Sequence, residues 1–268
     1  MQTTLSSSSS KPIRNSRQVA WAMLPARLAL FFGFQALFAA GFALAASTET
    51  AGSAASWNTA PAWGLSAAWW PYTATLANLV CIFLLIRFFG QEGQRYWDLF
   101  RFDRHAGRVK GDLLVMLGLL VILGPLSMLP GPWLGSAIYG DAAVQARLLI
   151  LPLPLWAVYT ILLPFPLTQG LAELAVYFMY AMPRLKELTG RPWLAYVLAS
   201  FFLGLQHIAI PMYFDWRYVA WRGLMFMPFA FVVGAALKWR PRLFPYFAIL
   251  HVLIDLAAMA VYLIPVRG

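Results

Sequence analysis

The chain alternates long apolar blocks with short connections rich in charge, Pro or Gly. A helix needs about 20 mostly apolar residues to cross the hydrocarbon of a bilayer. By that length rule, with Pro and Gly as punctuation, the pattern predicts segments at roughly 20–46, 67–90, 112–130, 148–164, 168–183, 193–212, 220–238 and 243–264. The expected fold class is all-α: a polytopic transmembrane helix bundle with seven or eight membrane segments. The count stays open because 148–183 holds Pro152, Pro154, Pro164, Pro166 and Pro183, which can break a helix or make it re-entrant. There is no internal repeat and no soluble domain. The chain divides into a disordered tail at 1–19, N-terminal transmembrane helices at 20–147 and a C-terminal helix bundle at 148–268.

Composition agrees with the pattern. The chain is 61% hydrophobic and 11% charged. A soluble domain is about 45–50% apolar and about 25% charged. The formal charge of +10 comes from 20 Lys+Arg against 10 Asp+Glu. These basic residues sit mostly in short connections, which favours a lipid bilayer over nucleic acid as the partner. Arg95, Arg101, Arg104, Arg108 and Lys110 crowd 91–111, whereas 47–66 and 131–146 hold no Lys or Arg. The positive-inside rule therefore predicts a cytoplasmic N-terminus and a cytoplasmic 91–111. Arg184, Lys186 and Arg191, and Lys238, Arg240 and Arg242, have the same character. Three full crossings between 111 and 184 would put 184–191 on the wrong side. The N-terminal run of serines at 6–10 does not read as a cleavable signal. Cys81 is the single cysteine, so neither an intramolecular disulfide nor a cysteine-based metal site is expected.

Ionisable side chains inside apolar runs carry the chemistry. Each costs at least about 2.5–3.5 kcal/mol at mid-bilayer, so it faces protein or water. Most acids, Asp112 among them, fall in connections or at segment ends. Glu173 and Asp255 do not, and neither do His207 and His251. His251 and Asp255 are four apart and share a helix face. Glu173 and His207 come from two other helices. If all four converge on one polar cavity, a carboxylate there can take a proton from water, and the histidines can donate to an oxyanion. Glu173, His207 and His251 also meet the ligand preferences of zinc. The set allows hydrolysis or proton relay. Each group also has a plainer reading: a helix–helix hydrogen bond for His207, an ion pair for His251 and Asp255, a transporter gate for Glu173.

The late motif HVLID (251–255), the apolar helix SFFLGLQH ending at His207, and AEL (172–174) followed by YAMPRL (180–185) resemble the CAAX protease and bacteriocin-processing (CPBP, or Abi) family of intramembrane endopeptidases, which is similar to the type II CAAX prenyl protease. HVLID matches that family's His with Asn or Asp four residues later. Leu203 stands where the family favours Phe. The family's first motif, a Glu-Glu pair with Arg four residues after the second Glu, departs most. Anchored on YAMPRL, Glu173 takes the first Glu position, Leu174 replaces the second and Phe178 the Arg. Anchored on Ala172–Glu173, the first Glu is lost and Tyr177 replaces the Arg. The first alignment keeps the water-activating position. The resemblance covers about 148–264.

The resemblance implies an intramembrane endopeptidase, a hydrolase acting on a membrane-associated peptide or protein in a bacterial cytoplasmic membrane. Glu173 would be the catalytic base, with His207, His251 and Asp255 completing the site. A metalloprotease using Zn2+ and a metal-free glutamate mechanism both remain open. Rival readings are an inactive membrane scaffold of the same family and a proton-coupled transporter. Trp69, Trp70 and Tyr72 suit an interfacial belt, Arg217 and Arg222 read as loop or snorkelling charges, and FRFDRH (100–105) as a cytoplasmic amphipathic turn.

Overall fold

A computed structural model describes residues 14–49, 60–103 and 105–263. The first described helix begins at Arg14, inside the expected tail at 1–19; residues 1–13 lie outside the described residues. The helices are α1 (Arg14–Glu49), α2 (Ala60–Ala68), α3 (Trp70–Gln91), α4 (Ala106–Met128), α5 (Pro130–Tyr139), α6 (Val144–Leu149), α7 (Leu155–Ile161), α8 (Pro164–Leu174), α9 (Met182–Thr189), α10 (Pro192–Leu205), α11 (Trp216–Met225), α12 (Met227–Trp239) and α13 (Phe244–Ala260). A π-helical stretch, Ala175–Ala181, joins α8 to α9. Among the described residues there is no strand, only one isolated bridge between Ala209 and Met212.

Five spans are long and apolar enough to cross a bilayer: Gln18–Ala46, Trp70–Gln91, Gly107–Tyr139, Trp216–Trp239 and Pro241–Leu263. The protein is thus an integral membrane helix bundle. The pair Leu155–Ile161 and Pro164–Thr189, bent by 43°, would make a sixth. Pro192–Ile208 is apolar but shorter than a span. Length and composition alone do not reach the seven or eight expected segments, and 148–183 contributes at most one bent span rather than two. Its prolines split it into two helices, the short Leu155–Ile161 and the longer Pro164–Thr189, set at 43° to each other. Pro164 opens α8, where a missing N–H costs nothing. Gly190, with φ 63°, closes α9 in the left-handed region and turns the chain into α10.

The charged connections meet at one end of the bundle. Arg184 is paired with Glu92 and lies over the Tyr180 ring at 3.8 Å. Arg242 donates to Asp112 at 2.9 Å, and Arg240 lies 3.5 Å from the same carboxylate. The Phe100 and Phe244 rings are 5.1 Å apart. Asp112 is buried, unlike the segment-end acid expected, because these two arginines supply its counter-charge. The topological conflict in the sequence reading disappears here: 92–112, 184–191 and 238–242 lie together once the proline-rich region is one bent element. Asp103, just before α4, is held well below the usual carboxylate range by hydrogen bonds from the His105 backbone and ring and from Arg108.

The N- and C-terminal parts pack as one bundle. α8 is central, with α3 on one side and α13 on the other, while α1 crosses the π-helical stretch, α9 and α10. α12 packs on α10, and α12 and α13 make almost no direct contact. The gap between them, lined by Phe229, Val233, Leu250 and Ile254, forms the apolar flank of a cavity.

Candidate functional site

The cavity, about 480 Å³, is walled by α8, α12, α13 and the end of α10. Glu173, His207, His251 and Asp255 all line it. On α8, Gln169 and Glu173 are one turn apart and buried. Glu173 reaches His251 on α13 because Gly170, between Gln169 and Glu173, lets the helices close: a Cβ there would fall 2.4 Å from Val252 Cγ2 and 2.8 Å from the Ala248 carbonyl. Small residues at such crossings are how membrane helices approach closely. On α13, the four-residue spacing brings His251 Nε2 within 3.4 Å of Asp255 Oδ2, and the same nitrogen lies 3.8 Å from Glu173 Oε1. Asp255 Oδ2 is buried without a hydrogen-bond partner, so the 3.4 Å contact is a close approach rather than a formed hydrogen bond.

His207 sits on a 3-10 turn, Gln206–Ile208, that ends α10. Its Nδ1 points at the Leu203 and Gly204 carbonyls, at 3.0 and 3.2 Å. Those acceptors require a hydrogen on Nδ1, leaving Nε2 as the nitrogen open to a ligand. Its ring stacks on Phe226 at 4.2 Å. The geometry therefore joins Glu173, His251 and Asp255 in one contact chain. It sets His207 on another wall of the same cavity, with no hydrogen bond or ion pair to those three.

Arg27 escaped the sequence reading, which weighed only acids and histidines in the apolar runs, and Arg222 and Trp70 take roles beyond those expected. Arg27, in the middle of α1, is fully buried. It donates from Nε to Gln206 Oε1 at 2.6 Å, from one terminal nitrogen to Asn78 Oδ1 at 2.7 Å, and from the other to Gln169 Oε1 at 3.0 Å and Glu173 Oε2 at 3.5 Å. Gln169 also donates to Glu173 Oε2. An unpartnered buried guanidinium would be strongly destabilising, so this fork of acceptors explains how an arginine is tolerated mid-helix. The signal was present: one arginine in an apolar run falls under the same intramembrane-charge rule. Arg222, expected as a loop or snorkelling charge, is buried and lines the cavity. It bonds the His207 and Ile210 carbonyls at 3.2 and 3.1 Å. Trp70, assigned to an interfacial belt, also reaches the cavity and donates to the Leu149 carbonyl at 2.8 Å.

Among the described residues no group of three His, Cys, Asp or Glu side chains is placed to hold a metal ion. One oxygen of Glu173 is already committed to a guanidinium and an amide. What remains is a polar pocket in an apolar wall, with two carboxylates, two imidazoles and a buried guanidinium around space for a small group. No protein-family model, curated protein or solved structure matches this chain.

Proposed function

We propose that this protein is an intramembrane endopeptidase, with Glu173 as the general base that activates water. The observation that carries the reading is the convergence of Glu173, His207, His251 and Asp255, from three helical elements, on one cavity inside a membrane bundle. A water on the cavity side of Glu173 Oε1 and His251 Nε2, which lie 3.8 Å apart, would be deprotonated by the carboxylate as it attacks a peptide carbonyl, and the proton would pass to the leaving amine. Asp255 would lie beside the same nitrogen, at 3.4 Å, adding a second carboxylate to the pocket. The oxyanion would develop in the field of Arg222 and the histidines, where low polarity strengthens each interaction. No step runs through a metal. The substrate would be a membrane-associated peptide or protein, since the apolar cavity flank opens between α12 and α13. The basic end and the N-terminus would be cytoplasmic, in a bacterial cytoplasmic membrane. Glu173→Gln should abolish cleavage of a membrane-anchored peptide library while the inserted amount stays unchanged; full activity in that variant would end the proposal.

A second reading, an inactive scaffold of similar architecture, draws on the hydrogen-bonded capture of Glu173 Oε2, which is how a structural carboxylate is also held. It gains if the purified protein cleaves nothing and both Glu173→Gln and His251→Ala leave the cellular phenotype intact.

A further inference from the structure

We propose that Arg27 is the positioning residue of this site, holding one oxygen of Glu173 so that the other faces the cavity, and tying the Glu173 wall to the His207 wall. The inference deepens the peptidase reading and rests on it for its catalytic meaning. The terminal torsion of a glutamate is broad and nearly two-fold, so an untethered carboxylate presents either oxygen. Here the Arg27 guanidinium and the Gln169 amide converge on Oε2, while Oε1 is left toward His251. α8 and its π-helical continuation carry no basic residue of their own. Arg184, the next along the chain, is engaged with Glu92 at the charged end. The cation is therefore supplied from α1, across the bundle.

The same guanidinium reaches Gln206, the residue before His207, at 2.6 Å. One planar fork thus sets the separation of the base-bearing helix from the histidine-bearing turn, and Asn78 on α3 fixes the fork itself at 2.7 Å. Lysine cannot replace it: an ammonium is a point donor and cannot span acceptors on three helical elements at once.

The test uses the full-length protein in lipid nanodiscs. The infrared carboxylate band of Glu173 is isolated by subtracting the Glu173→Gln spectrum. Arg27→Lys and Arg27→Gln should both shift that band. In a cleavage assay they should lower kcat by about 100-fold with KM within about 2-fold, because the base is misdirected while substrate contacts persist. An unmoved band, or wild-type kcat in both variants, overturns the proposal. If neither single variant accumulates, the double variant Arg27→Gln/Glu173→Gln decides: its recovery supports the pairing, and its equal failure reduces Arg27 to a structural role and overturns it. A wild-type protein that cleaves nothing sinks the peptidase reading alone, since the band shift still reports whether Arg27 orients Glu173.

Discussion

Replacing Gly170 by alanine probes the helix contact on which the site's geometry depends. The new Cβ would stand 2.4 Å from Val252 Cγ2 and 2.8 Å from the Ala248 carbonyl. Carbon pairs rest at roughly 3.5–4.0 Å, so α13 must move away from α8 by about 1 Å. Neither obstacle yields cheaply, since Val252 is β-branched and the other atom is backbone. Overpacking of this kind costs about 1–3 kcal/mol, partly offset by the roughly 1 kcal/mol that alanine gains over glycine in a helix. The net expectation is a loss of up to about 2 kcal/mol and a fall of up to a few degrees in Tm. A displacement near 1 Å also lengthens the 3.8 Å approach of His251 to Glu173, and misplacement on that scale can lower catalysis by about 100-fold. Thermal unfolding in detergent and cleavage kinetics read the two effects separately. Gly118→Ala, with nothing within 4 Å of its Cβ, is the control and should be neutral or slightly stabilising. Adding Val252→Ala to Gly170→Ala should recover only part of the loss, because the carbonyl stays in place. Wild-type Tm and wild-type rate in Gly170→Ala would refute the claim that this crossing sets the site.

The other expectations concern the frame. Gly234→Ala would press a Cβ to 2.4 Å from Ser200 Oγ and 2.8 Å from the Phe178 ring, so it should lower Tm, and Ser200→Gly should relieve only the first contact. Arg184→Ala should destabilise more than Glu92→Ala, by about 1 kcal/mol in thermal melts, because Arg184 also bonds the Tyr180 carbonyl at 2.9 Å and covers its ring. Asp112→Leu should cost about 1–2 kcal/mol by the same measure, a moderate sum because Arg240 and Arg242 remain partly open to solvent and need not stay unpaired. In a Cys81→Ala background, single cysteines at Arg101, Arg191 and Arg240 should react with an impermeant maleimide from one side of sealed vesicles, and one at Gly140 from the other. Mixed sidedness among the first three would break the topology.

Much of this architecture was legible along the chain because its cause is local. A block of about 20 apolar residues must close its backbone hydrogen bonds internally in lipid, so 20–46, 67–90 and 243–264 reappear as helices α1, α3 and α13 with small shifts at their ends. The four-residue spacing of His251 and Asp255 likewise places them on one face without help from any other helix. The prolines of 148–183 announced a break, since each removes a donor wherever it falls.

Tertiary structure decided everything that depends on which helix lies beside which. Glu173 meets His251 only because Gly170 allows α8 and α13 to close. Arg27 finds partners 51, 142 and 179 residues away, a relation that no periodicity encodes. Asp112 looked like a segment-end acid until Arg240 and Arg242 came over it, and Arg222 like a surface charge until the turn at 207–210 offered it two carbonyls. Periodicity is a property of neighbouring residues and survives in the sequence. The burial and pairing of a charge depend on distant groups, and come into being only when the helices dock.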